Sequence, residues 1–189
     1  ASICVSVNQE VVHGIPDKHR IIQEGDIVSL DAGVIYKGYH SDAARTHAVG
    51  EASEEAKKLI QVTKESFFEG IKFAKAGNHL FDISGAIGRY AEERGYGVVR
   101  DLCGHGIGTA LHEAPEIPNY EVGRKGVRLR PGMTLAIEPM INIGTYEVDW
   151  LDDDWTVVTR DGSLSAHYEN TILITEGEPR ILSLTCENE

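Results

Sequence analysis

DIVSLDAGVIYKGYHSDAARTHAV, residues 26–49, alternates apolar and polar side chains on either side of Lys37-Gly38. Alternation with period two is the mark of a half-buried strand, and Lys37-Gly38 is a turn signal, so the stretch predicts a β-hairpin. Asp31 and Asp42 stand on its opposite arms. A two-residue loop at Tyr36-Lys37 or at Lys37-Gly38 makes them opposed or diagonal neighbours. Either register places both on one face of the sheet. Asp31 lies in VSLDAGV, where burial of an unpaired carboxylate is costly, and two adjacent carboxylates repel. Either both face solvent or something positive sits between them. No Lys or Arg is well placed on the same face, so a divalent cation is an economical counter-charge.

The second half of the chain repeats the problem. Glu138 ends the apolar run MTLAIE, and Glu169 lies in SAHYENTILIT ahead of Ile172 and Ile174. Between them in kind is His105, in CGHGIGTALHE (103–113). The glycines around His105 also suit a phosphate cradle. A phosphate loop, however, opens a helix and brings a Lys, whereas this one carries no Lys and soon meets two prolines. Any one of these acids, taken alone, reads as an exposed strand end. Together, Asp31, Asp42, Glu138, Glu169 and His105 make a ligand set for a hard or borderline divalent ion such as Mn, Fe(II), Co or Zn. Four negative charges match two such ions better than one.

The 189 residues suffice for one sizeable core, and a single domain over 1–189 is expected. Apolar residues at 41% and charged residues at 25% are ordinary for a soluble globular chain, and no apolar run is long enough to span a membrane. Net charge is −12, from 30 acids against 18 bases with no basic cluster, which argues against a nucleic-acid partner. Cys4, Cys103 and Cys186 are scattered, and no signal peptide opens the chain. Both features fit a reducing cytoplasm.

Helical spacing covers 53–77, with Ser53 as N-cap and Gly77 as the stop. A second helix is predicted from Asp82, as N-cap, to about Arg94. ASICVSVN reads as a strand already under way. Strands return after residue 96, including a hairpin closed at Asp161-Gly162. The expected class is α+β, with helices on a mostly antiparallel sheet.

VVHGIP (11–16), SLDAG (29–33), YHSDAART (39–46), GHGIG with LHEAP (104–115), AIEPM (136–140) and SAHYENTI (165–172) resemble, in order, the motifs of type I methionine aminopeptidases. The resemblance spans essentially the whole chain. It implies the pseudo-two-fold pita-bread fold, each half carrying an acidic hairpin. It also implies removal of the initiator methionine from peptides and nascent chains by water activated at two divalent metal ions. Asp31 would chelate one ion, Asp42 and Glu169 would bridge both, and His105 and Glu138 would complete the second. Glu138 would also shuttle the proton. His112 would donate to the oxyanion, and His13 would hold the peptide nitrogen beyond the scissile bond. Cys4, Leu111 and Trp155 would line the methionine pocket. His40 falls outside this set. His167 is a candidate to support the ligands, and His19, His47 and His79 read as surface or packing residues.

Relatives in this family carry a mostly helical segment before the point where this chain begins, and Ala1 stands almost on the first core strand. The shortened chain is expected to expose an apolar sheet face and so to admit dimerisation, where the full-length family is monomeric. The ribosome, where the family's substrates emerge, is a candidate partner. Two other readings remain: a proline-specific aminopeptidase or dipeptidase of the same fold, which shares the five-ligand pattern, and a pita-bread protein that has lost catalysis.

Overall fold

The computed structural model of the protein describes residues 2–184; Ala1 and Cys186 lie outside them. In the first half the elements are β1 (Cys4–Val7), β2 (Glu10–Val12), β3 (Ile27–Tyr36), β4 (Tyr39–Ala48), α1 (Glu54–Ile71) and α2 (Leu80–Glu92). Then follow β5 (Gly97–Val98), β6 (Gly104–Gly106), β7 (Glu113–Ile117), β8 (Thr134–Ile137) and β9 (Met140–Asn142). The chain continues through β10 (Val148–Trp150), β11 (Val157–Thr159), β12 (Ser165–His167), β13 (Glu169–Leu173) and β14 (Arg180–Ile181).

One antiparallel sheet dominates, in the order β1-β3-β4-β13-β8-β6-β7, with β14 also pairing β13. Two three-stranded sheets, β10-β11-β2 and β12-β9-β5, complete the α+β architecture. The first hairpin turns at Lys37 and Gly38, both at positive φ (50° and 83°), the conformation that suits the twist of a two-residue hairpin loop. Gly33 faces Asp42 and Asp31 faces Ala44, so the two aspartates are diagonal neighbours on one face.

Parity carries through the sheet. Glu169 pairs with Ala44 and Asn170 with Ala43. Thr171 then pairs with Ala136, as does His105. Asp31, Asp42, Glu169 and His105 therefore share one face, and Glu138, two residues beyond Ala136, continues on it. The opposite face carries Tyr168, Ile172, Ile174, Leu135 and Ile137, which bury against Phe67 and Ile71 of α1 and Leu80, Ile83 and Ile87 of α2. Gly70 makes this packing close, since a Cβ there would stand 2.5 Å from Ile87 Cγ1. On the corresponding face of β3 and β4, Val34, Tyr36 and Tyr39 are exposed at 59%, 70% and 65%. An apolar sheet surface is thus open at the hairpin end.

Four expectations change. Ser53 does cap α1, its hydroxyl accepting the Ala56 N–H at 3.1 Å, but the helix closes at Lys72 rather than Gly77. The chain leaves early so that Ala74 can be buried, and the Gly77 and Leu80 N–H groups bond the carbonyls of Leu129 and Val127. The second helix starts two residues ahead of Asp82. His79 is the N-cap, and the Asp82 carboxylate reaches back to accept its backbone N–H at 2.8 Å. Asp161-Gly162 is a turn without a hairpin, because β11 pairs β10 and β2 while β12 pairs β9. The second-half acids likewise do not share a hairpin; they sit at neighbouring ends of β8 and β13, which are distant in sequence.

The seam between the hairpin and β13 is short, two residue pairs long. Thr171 extends it: its Oγ1 accepts the Asp42 N–H at 2.8 Å and donates to the Asp42 carbonyl at 3.0 Å. Thr171→Val keeps the shape and leaves the backbone N–H and carbonyl of buried Asp42 without this partner. We expect a loss of about 1–3 kcal/mol in denaturant unfolding, with Thr171→Ser near wild type. An unchanged midpoint for the valine variant would remove Thr171 from the seam.

Candidate metal centre

Five consecutive strands of the main sheet each present one candidate ligand: Asp31 from β3, Asp42 from β4, Glu169 from β13, Glu138 at the end of β8 and His105 from β6. Ligand atoms of Asp42, His105 and Glu169 lie within 4.8 Å of one another, all on buried residues. Glu138 joins them through Oε1, 3.4 Å from His105 Nε2. Nδ1 of His105 is 2.9 Å from the Gly106 carbonyl. Donation of Nδ1–H to that carbonyl leaves the Nε2 lone pair aimed at the carboxylates, the tautomer a metal ligand needs.

The acids strain one another. Burial pushes the Asp31 carboxyl up to about 7, helped by repulsion from Asp42 beside it. Burial also raises Glu138 well above its ordinary range, with Asp31 and Asp42 adding to it. Glu169 is raised in the same way, by burial and then by Glu138, Asp42 and Asp31; Arg45 opposes this only weakly. Burial lowers His105. Glu169 Oε1 is buried without a hydrogen-bond partner. A dense set of desolvated carboxylates, one orphaned oxygen and a lone pair aimed inward fit a divalent cation by the chemistry of the donors.

The remaining site residues surround this centre. A cavity of about 600 Å³ is lined by Cys4, His13, Asp31, Asp42, Leu111, His112 and Trp155. A second, of about 930 Å³, starts from His13, His105, His112 and Glu138 and runs past Leu102 and Cys103 to Phe81 and Arg124. His13 and His112 border both cavities. The His112 ring meets that of His105 edge-on, centroids 4.4 Å apart, and His13 stacks on Trp155 at 4.9 Å. His13 holds a left-handed backbone (φ 62°), and the following Gly14 is obligatory, since a Cβ would meet Val5 O at 2.2 Å. The glycines beside His105 serve neighbouring backbone: a Cβ at Gly104 or Gly106 would meet Ala136 O at 2.4 Å or Ala114 O at 2.3 Å. His40 stays outside the cluster, its N–H bonded to Gly108 O at 2.8 Å.

Sequence reading missed three supports. Arg45 lies on the opposite face from Asp42, yet its guanidinium reaches Asn170 Oδ1 at 2.7 Å and stacks over Tyr168 at 4.2 Å. The Asn119 amide donates to the Glu138 carbonyl at 3.1 Å. The Glu113 carboxylate accepts the Ala110 N–H at 2.8 Å, bracing the loop that carries Leu111 and His112. An arginine inside the alternating YHSDAART run was the one available signal; Asn119 and Glu113 gave none.

Residues 1–176 match the model of metallopeptidase family M24, and the chain belongs to that family. Within it, the chain is 61% identical over 187 residues to a methionine aminopeptidase of Clostridium acetobutylicum, covering 99% of this chain and 74% of that protein. The crystal structure of a methionine aminopeptidase from Thermotoga maritima superposes with a TM-score of 0.94 at 51% identity, covering 97% of this chain and 74% of that one. The prolidase of Pyrococcus horikoshii shares the fold at a TM-score of 0.76 and 26% identity, and this chain covers 48% of it. The pita-bread class expected from the motifs therefore holds. Among the described residues no helix is long and apolar enough to cross a membrane.

The raised carboxylates predict a pH dependence for the metal-free protein. A carboxyl whose folded pKa exceeds its unfolded value of about 4 contributes stability below that value and loses it as pH rises through the folded pKa. The lowered histidines His13, His105 and His167 work in the opposite sense, but that effect is complete once pH passes about 6.5. In chelator, the melting temperature of wild type should fall relative to that of Asp31→Asn as pH rises from about 4 to about 7, the window set by the Asp31 carboxyl, and added Mn(II) or Co(II) should stabilise wild type most at the upper end. Parallel profiles for wild type and Asp31→Asn, or equal metal stabilisation at both ends of that window, would count against the centre.

Proposed function

We propose that residues 1–189 form a catalytic domain that removes N-terminal methionine from peptides and nascent chains, using two divalent ions held by Asp31, Asp42, His105, Glu138 and Glu169. The observation that carries this reading is the face described above, where four carboxylates and one imidazole come from five adjacent strands between two cavities. Sequence identity of 61% to a methionine aminopeptidase, against 26% to a prolidase, favours methionine over proline specificity. Retention of all five candidate ligands argues against an inactive relative.

When bound, the ions supply Lewis acidity and water of lowered pKa. The chain's own groups do the rest. The smaller cavity, walled by Cys4, Leu111 and Trp155, receives the methionine side chain. The larger accepts the residues beyond the scissile bond. Glu138, nearly enclosed with a side chain 13% exposed, takes a proton from water and delivers it to the leaving amine. His112 is exposed to both cavities and donates to the carbonyl oxygen as negative charge develops there. His13, fixed by its stacking on Trp155, holds the peptide nitrogen on the leaving side. Hard oxygen donors with one nitrogen suit Mn, Fe(II), Co or Zn.

The test is methionine release from Met-Ala-Ser peptides with added divalent ions, beside Xaa-Pro peptides. Methionine should be released, chelator should abolish the reaction, and Xaa-Pro should be spared. Glu138→Ala should lower kcat by about 10²–10⁴-fold. His112→Ala should lower kcat by about 10²-fold or more while metal binding is retained. Wild-type release by the Glu138 variant, or preference for Xaa-Pro, would overturn the assignment.

A further inference from the structure

His167 lies in β12, two residues before Glu169, and is 2% exposed. Both of its ring nitrogens are buried without a hydrogen-bond partner. An imidazole held this way is expensive, because a buried polar atom left unmatched forfeits the hydrogen bond it had in water. Its surroundings suggest why it is there. Nε2 stands 3.7 Å from Glu138 Oε2, while the other oxygen of that carboxylate, Oε1, stands 3.4 Å from His105 Nε2. Glu138 is thus bracketed by two histidines, one on each oxygen.

The two contacts differ in kind. His105 Nδ1 is committed to the Gly106 carbonyl, so its Nε2 is left as an acceptor beside Glu138 Oε1 and has no proton to give it. His167 makes no such commitment, and its Nε2–H is free to serve Oε2. The backbone below is fixed as well, since the Glu138 carbonyl accepts the Asn119 amide at 3.1 Å and Tyr168 N–H bonds the Pro139 carbonyl at 3.2 Å. The second bond ties the residue after His167 to the residue after Glu138. What is left to set is the rotation of the carboxylate itself.

We propose that His167 is a positioning residue: it donates Nε2–H to Glu138 Oε2 and so turns Oε1 toward the cation. This rests on the reading of Glu138 as a ligand and proton carrier, and it goes beyond it by assigning the group that orients that carboxylate.

Side-chain amides separate donor position from bulk. In Gln the amide nitrogen reaches about as far as Nε2, and in Asn only about as far as Nδ1. The experiment compares His167→Gln, His167→Asn and wild type by Co(II) titration, following the visible absorption of bound Co(II), and by kcat and KM on a Met-Ala-Ser peptide. His167→Gln should stay within about threefold of wild type, whereas His167→Asn should lose about 10–100-fold in Co(II) affinity at one site and in kcat, with KM nearly unchanged. Wild-type Co(II) binding and kcat in the Asn variant would overturn the proposal. So would an equal loss in both variants, because the donor position would then be irrelevant. If wild type releases no methionine, the functional reading fails on its own, and the Co(II) titration still decides the role of His167.

Discussion

Repulsion among carboxylates governs this molecule. Strand parity forces Asp31, Asp42, Glu169 and Glu138 onto one face of one sheet, and the fold then shields them from water. Neither burial nor crowding is avoidable once the strands pair in this order. Asp31, Glu138 and Glu169, raised by burial and by one another's charge, could relax by taking up a proton. A divalent cation relaxes them together and leaves them charged, which is the state that proton transfer requires. The same constraint accounts for the orphaned oxygen of Glu169: no group of the chain matches it, and its chemistry suits such a cation.

The back of the sheet makes that arrangement affordable. Tyr168, Ile172, Ile174, Leu135 and Ile137 bury against α1 and α2, so the strands that carry Glu169, Glu138 and the neighbouring His105 are held by the largest apolar cluster. The Asp31–Asp42 hairpin is held instead by its own long ladder, from Ile27↔Ala48 to Tyr36↔Tyr39, by β1 along the β3 edge and by the brief seam to β13. Two different supports therefore meet at the metal face. Thr171 and Arg45 sit at their junction, one bonding the Asp42 peptide and the other spanning from β4 to Asn170.

Legibility in the sequence followed the range of each interaction. The first hairpin could be read because period-two alternation and the Lys37-Gly38 turn lie within one continuous stretch, and the diagonal placement of its aspartates follows from that loop. Ser53 and the buried stripe from Ala56 to Ile71 were readable for the same reason. Helix ends were not: Gly77 and Asp82 carry the right chemistry for a stop and a cap, but distant carbonyls at Val127 and Leu129 decide where the chain turns. Asp161-Gly162 has the local chemistry of a hairpin, yet a three-residue strand contains too little pattern to name its partner, and β11 and β12 pair elsewhere. Asn119 touches Glu138 across 19 residues, and nothing in PEIPNYEV announces it.

The glycines of GHGIG show how a correct residue choice can rest on a different cause from the one first suggested. Their absence of side chains reads naturally as room for a ligand, phosphate or substrate. In the fold, that room is filled by protein. Gly104 and Gly106 lie against the carbonyls of Ala136 and Ala114, so the strand bearing His105 is squeezed between β8 and β7. The squeeze fixes the strand's height, and the Nδ1 bond to Gly106 fixes the ring upon it. An imidazole anchored at both levels can meet Glu138 Oε1 without searching for it. The candidate ligand histidine and the glycines that flank it thus belong to one device, in which backbone contact supplies the precision that a ligand set needs.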